Sequence, residues 1–248
     1  MPTAPRTTAA PTPARPSLTE RRKAETQLEI ARTAAALFAE RGPGVTADEI
    51  ARTSGVALRT FYRYFRTKED AVAPLLAVGV RQWIDDLAAT TADPDAPPAR
   101  AALEQAARRA LTPTDEAAAE ALRWTRGLLR AMPGDPALRA VWHRVHHDSE
   151  EELRAVLARL TGAGRLEVRL AAAAANTAMR VAVEEWAAGD ERADGPHGPA
   201  ELVARGMRAL TAGLPDLDGH PGGTDHDGTD RDSTDHDSTG DLRGDDRA

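Results

Sequence analysis

The 248-residue chain contains no cysteine. Disulfides, thiolate metal sites and cysteine nucleophiles are therefore excluded. Aromatic residues make up only 4% of it, so a core has to be assembled mostly from Ala, Leu and Val. Ala and Leu are strong helix formers, and no stretch alternates Val, Ile or Thr with polar residues as a strand does. The expected fold class is all-α. Apolar runs fall far short of a membrane span, and the Pro/Thr/Ala-rich N-terminus lacks the apolar segment of a secretory signal. A cytoplasmic location with no membrane partner is expected. Lysine is almost missing: Lys23 and Lys68 are the only two, and arginine carries nearly all the positive charge. Catalytic patterns are missing as well. There is no Gly-rich phosphate loop, no Gly-x-Ser-x-Gly elbow and no His-Glu-x-x-His. Glu184 and Glu185 are adjacent, but neighbours on a helix diverge by ~100° and cannot act together. Neither an enzyme nor a cofactor is expected.

The net charge of −7 argues at first against a polyanionic partner. Its distribution reverses that argument. From Asp216 onward there are eleven aspartates and three arginines, whereas residues 19–81 hold eleven basic and eight acidic side chains, a net of +3. The acidity belongs to the tail.

Composition marks residues 1–17, with five prolines, as a disordered arm. Residues 214–248 read as a disordered acidic tail, repeating Thr-Asp-x-Asp-Gly/Ser from Thr224 to Ser238. Its Asp-x-Asp spacing lacks the bidentate acid and framework of a calcium loop. Between the tails, Pro and Gly punctuation predicts about nine helices. The first opens on Ser17-x-x-Glu20, a capping box, and buries Ile30, Ala34, Leu37 and Phe38. Short helices follow near 46–53 and 57–64, and a longer one runs from after Thr67 to Thr90. Others fit 99–110, 114–131, 136–161, 165–188 and 199–212.

Residues 46–65 have the organisation of a helix-turn-helix. Thr46-Ala-Asp-Glu49 is a second capping box, with Thr46 capping and Glu49 reaching back to its amide. Ser54-Gly55-Val56 forms the turn, where Gly55 supplies a positive φ. In the next helix Phe61 and Phe65, four apart, pack inward. Leu58, Arg59, Thr60, Tyr62 and Tyr64 remain for an outer surface of the size that enters a major groove. Arg59 can grip guanine or clamp a phosphate. The hydroxyls of Thr60, Tyr62 and Tyr64 suit phosphates, and Lys68 falls in the first turn of the fourth helix, near amides that attract anions. The plainer reading is two short helices packed as a hairpin, with Arg59 and Arg63 solvated.

Ile30-Ala-x-x-Ala-Ala-x-Leu-Phe-x-x-x-Gly42, Thr46-x-x-x-Ile50-Ala51 and Gly55-Val56-x-x-x-Thr60-x-Tyr62-x-x-Phe65-x-x-Lys68-Glu69 together closely resemble the TetR family of transcriptional regulators. The resemblance covers residues 24–72. It implies a three-helix DNA-binding head over residues 18–66 and a larger helical ligand-binding and dimerisation body over 67–213. It also implies a homodimeric, ligand-responsive repressor on a pseudo-palindromic double-stranded DNA operator, with an unknown small-molecule effector. An activator of the same fold, or a helical interaction module using the acidic tail, is the alternative. By position, Thr46 matches a phosphate-contacting helix start, Leu58, Arg59 and Thr60 match base readers, and Tyr62, Tyr64 and Lys68 match backbone contacts. Two departures stand out. Ala57 occupies a position where the family usually has Ser or Thr, and Gly42-Pro-Gly-Val-Thr46 is about one residue short.

The body holds further candidates. Helix 136–161 carries an apolar stripe at Leu138, Trp142, Val145, Leu153, Val156 and Leu160. His146 lies at its edge, either as a core-edge histidine or lining a ligand cavity. His143 and His147, four apart, are either a solvated pair or a metal pair without thiolate support. Helices 114–131 and 165–188 each have two apolar faces. In the second, Leu166, Leu170 and Ala173 mark one line, and Ala172, Asn176, Met179, Val183 and Trp186 the other. Such a helix serves either core packing or a dimer interface. Trp124, Trp142, His146, Asn176 and Trp186 are the candidates for an effector pocket.

Overall fold

The structure, a computed structural model, describes residues 17–91, 95–214 and 217. Nearly all of the expected proline-rich arm and acidic tail lies outside them. Among the described residues there are nine α-helices and no strand: α1 (Leu18–Arg41), α2 (Ala47–Thr53), α3 (Leu58–Tyr64), α4 (Ala73–Thr90), α5 (Ala99–Ala110), α6 (Glu116–Ala131), α7 (Pro136–Thr161), α8 (Arg165–Ala188) and α9 (Pro199–Thr211).

Sequence punctuation placed most of these ends because the chemistry at them is local. Ser17 and Glu20 close the expected capping box on α1. Asp135 accepts from the amides of Ala137 and Leu138 just ahead of Pro136, whose missing N–H costs nothing in the first turn. Gly162 ends α7 in the left-handed region at φ 63°, where glycine alone is unstrained.

Two expectations are corrected. The helix predicted to begin after Thr67 is split: residues Glu69–Val72 form a 3₁₀ turn, and α4 starts at Ala73. Pro74 is the cause, since it has no N–H for the carbonyl of Asp70 and its ring crowds that carbonyl in an α-helix. Lys68 therefore caps a 3₁₀ turn rather than sitting in the first turn of α4. At the other end, the packed body continues past residue 213. Leu217 is buried in the core, Leu214 packs against it, and Arg100 donates to the Leu214 carbonyl at 3.0 Å.

One continuous core runs from Ile30 of α1 to Leu217. The head, α1–α3, is thus fused to the body rather than tethered: α1 packs on α4 and α6, and α4 on α7. The α1–α6 crossing is close because Gly127 faces Ala39; a Cβ on Gly127 would lie 2.5 Å from that of Ala39. Helices α8 and α9 are similarly close, with Gly206 against Ala178. The line Ala172, Asn176, Met179, Val183 and Trp186 of α8 is buried, as the periodicity predicts. The opposite line is uncovered, with Leu166 61%, Leu170 47% and Val181 47% exposed, as is Leu210 of α9.

Candidate DNA-binding surface

The head is built around the turn between α2 and α3. Thr46 Oγ1 accepts from the Glu49 amide at 3.2 Å, and Glu49 accepts from the Thr46 amide at 2.8 Å. The Thr46 amide most strongly, and then the Thr46 hydroxyl donating to the same carboxylate at 2.9 Å, hold the Glu49 carboxyl below its ordinary range. Gly55 turns the chain at φ 71°. The Val56 amide then bonds the Ala51 carbonyl at 2.9 Å, which ends α2 and aims α3 away from it. Ile50, Ala51 and Phe61 are fully buried beneath the turn, and the rings of Phe61 and Phe65 lie 5.4 Å apart. The turn is therefore packed, not merely a bend.

Phe61 anchors the inner side of α3, so the outer side follows from ~100° per residue. Leu58, Arg59, Tyr62 and Arg63 are exposed on it. Thr60 and Tyr64 are half-buried, and Tyr64 packs against the core. Tyr64 thus departs from the expected surface: two positions from Tyr62, it points ~200° away, toward α1, α4 and α7. Arg63 takes a place on the face instead. Sequence reasoning passed over it as solvated, although its position one turn from Arg59 was a signal. Ala57 starts α3 with no side-chain cap, as its identity requires.

Arg59, Arg63 and Arg66 have no carboxylate partner among the described residues, while Arg41 pairs with Glu49 and Arg52 with Asp48. Arg21, Arg22, Lys23 and Arg32 of α1 are likewise without one, so the head's unpaired cations lie on α1 and on and just after α3. Lys68 is different. Its ammonium donates to the Pro43 carbonyl at 2.5 Å, lies 3.5 Å from Glu69 and sits over the Phe38 ring. It clasps the short Gly42–Gly44 turn that precedes Thr46.

The Gly-Val turn, the buried aromatic pair and the basic outer face form one unit, and residues 30–73 match the family model described as bacterial regulatory proteins, tetR family. That segment is similar to the N-terminal part of the TetR family. The fold beyond the head is also similar to that of a solved structure. The structure of Thermus thermophilus FadR, a TetR-family transcriptional repressor in complex with lauroyl-CoA, is similar over 76% of this chain and 94% of that one, at 20% identity and a TM-score of 0.52. A tetR-family transcriptional regulator from Streptomyces coelicolor shares 24% identity over 76% of this chain and 79% of that one, with a TM-score of 0.41. No curated protein matches the sequence.

In the TetR-like body, three of the five pocket candidates meet. The Asn176 amide donates to the His146 carbonyl at 3.0 Å, which fixes its orientation, so Asn176 Oδ1 accepts from His146 Nδ1 at 3.0 Å. The remaining ring nitrogen, Nε2, is then a bare acceptor, and it has no partner among the described residues. The Trp142 ring meets the His146 ring edge-on at 4.1 Å, and its N–H donates to Glu184 at 2.7 Å. Burial pushes the His146 imidazole down to about 4. Trp186 is engaged elsewhere: it lies under the Arg126 guanidinium at 3.7 Å and donates to the Glu191 carbonyl. Trp124 is half-buried at the core margin. None of the five lines the cleft of about 990 Å³ between α1, α3, α4 and α7. His143 and His147 are exposed, and the described residues hold no cluster of three metal-ligating side chains. No described helix is long and apolar enough to cross a membrane.

Proposed function

We propose that the protein is a homodimeric, ligand-responsive repressor that reads a pseudo-palindromic operator with α3 in the major groove. The observation that carries the DNA reading is the outer face of α3. It presents two guanidiniums, Arg59 and Arg63, with no carboxylate partner among the described residues, on a helix fixed from behind by Phe61 and Phe65. Arg59 is the base reader, flanked by Leu58 and Thr60. Tyr62, Arg63 and Thr46 contact phosphates, and Lys68 acts nearest the turn it clasps.

Dimerisation is carried by the uncovered line of α8, Leu166, Leu170 and Val181, continued by Leu210 of α9. Apolar side chains aligned at helical spacing and left outside the core fit a second copy, and an isologous pairing of α8 and α9 supplies it. Effector binding is assigned to the body, and FadR, whose fold is similar, was solved in complex with lauroyl-CoA. Here its proposed anchor is the bare Nε2 acceptor of His146, beside Trp142 and Asn176. The test is selection of duplexes from a randomised pool by the full-length protein, followed by anisotropy titration. A selected palindrome with half-sites about one helical turn apart supports the reading. Failure to enrich any sequence overturns it.

A further inference from the structure

We infer that the basic outer face of α3 is also a docking surface for the chain's own acidic segment, residues 218–248, which competes there with DNA. The inference rests on the DNA-binding reading for its consequence, but the docking itself stands on charge and reach. Arg59 and Arg63 on that face, and Arg66 just after α3 at the edge of the cleft, lie within eight residues, are exposed, and have no carboxylate partner among the described residues. Where carboxylates are near, guanidiniums pair with them, as in Arg52 with Asp48 and Arg144 with Asp70. The face therefore presents charge that the folded part leaves unanswered.

Residues 218–248 hold the complement: ten aspartates against three arginines, and no glutamate or lysine. The Thr-Asp-x-Asp repeat spaces the carboxylates evenly, as a polyanion does, with Gly or Ser between. Attachment is firm at one end, because Leu217 is buried in the core and Arg100 holds the Leu214 carbonyl. From that anchor 31 residues span at most ~100 Å. A globule of this size has a radius of gyration of only ~17 Å, so α3 is within reach. Tethering raises the local concentration of carboxylate at the face to the millimolar range. Each exposed pair is weak, so the contact is diffuse and fails with salt.

The consequence is a lower background. A segment that competes for the face lowers the affinity for every duplex by the same factor. Random duplex, which binds through phosphates alone, then falls out of occupancy, whereas an operator, which adds base contacts, stays bound.

The experiment compares the full-length protein with a full-length variant in which the ten aspartates of 218–248 are changed to asparagine. Anisotropy with a random-sequence duplex at about 50 mM salt should show the variant binding roughly tenfold tighter, with the gap closing to under about twofold by 400 mM. Equal affinities at low salt overturn the inference. Phenylglyoxal modification, read by mass spectrometry without DNA, tests the docking separately. Arg59, Arg63 and Arg66 should react several-fold more slowly in the native protein than in the variant, and equal reactivity overturns the assigned surface. Protection of these arginines in a protein that binds no duplex would sink the DNA reading and leave the docking intact.

Discussion

At the scale of single residues, charge and burial decide the roles. Arg59→Ala should weaken a selected operator by about 1–3 kcal/mol and relax the preference at one base pair, if the guanidinium reads guanine. Anisotropy against operator variants measures both, and an unchanged preference assigns Arg59 to the backbone. Lys68→Met separates two roles for a lysine that sits beside the face. With its ammonium on the Pro43 carbonyl, loss of affinity should come with an unchanged salt slope. A slope lower by about one makes it a direct phosphate contact. His146 bears on stability. Burial pushes it down to about 4, against the Asn176 hydrogen bond, which raises it, with smaller effects from Arg180, Glu184 and His143. The unfolded chain takes up this proton near 6.5, before the folded one can. The contribution of neutral His146 is thus complete above 6.5 and is lost as pH falls toward 4, by up to about 3 kcal/mol. Denaturant midpoints at pH 7 and pH 5 should therefore diverge in the native protein and converge in His146→Gln.

At the scale of elements, α3 lacks the hydroxyl that would close its first turn. Ala57→Ser should add a cap of about 1 kcal/mol and raise the melting temperature by about 2–4 °C. A fall in Tm places α3 under a constraint other than capping. The elements also show what was legible in sequence. Capping boxes, Pro after a cap and Gly at a helix end act within four residues, so the ends of α1, α2, α5, α7 and α8 could be read directly. The α4 start was misread because Pro74 acts backwards, on the turn before it. Tyr64 was misplaced for another reason: which side of a short helix faces out depends on what packs behind it, and α7 lies some eighty residues away. The same limit hid the His146–Asn176 bond, which joins residues thirty apart on two helices. Both residue types could be noticed in sequence, but not their meeting.

At the scale of the whole molecule, one uncovered apolar stripe and one uncovered basic face account for two proposed partners. Leu170→Glu places a charge in the α8 stripe without touching the core. Sedimentation should then show a monomer whose operator affinity collapses, because two half-sites are no longer held together. A dimer that survives assigns the interface elsewhere. The clasp around Lys68 has a last consequence for the chemistry of the entire surface. With that ammonium enclosed by Pro43, Glu69 and Phe38, Lys23 on α1 is the only freely exposed side-chain amine. Guanidiniums do not react with acyl donors under mild conditions. The reading face is therefore inert to amine-directed acylation, and an activated-ester dye marks Lys23 while every charge on α3 stays in place.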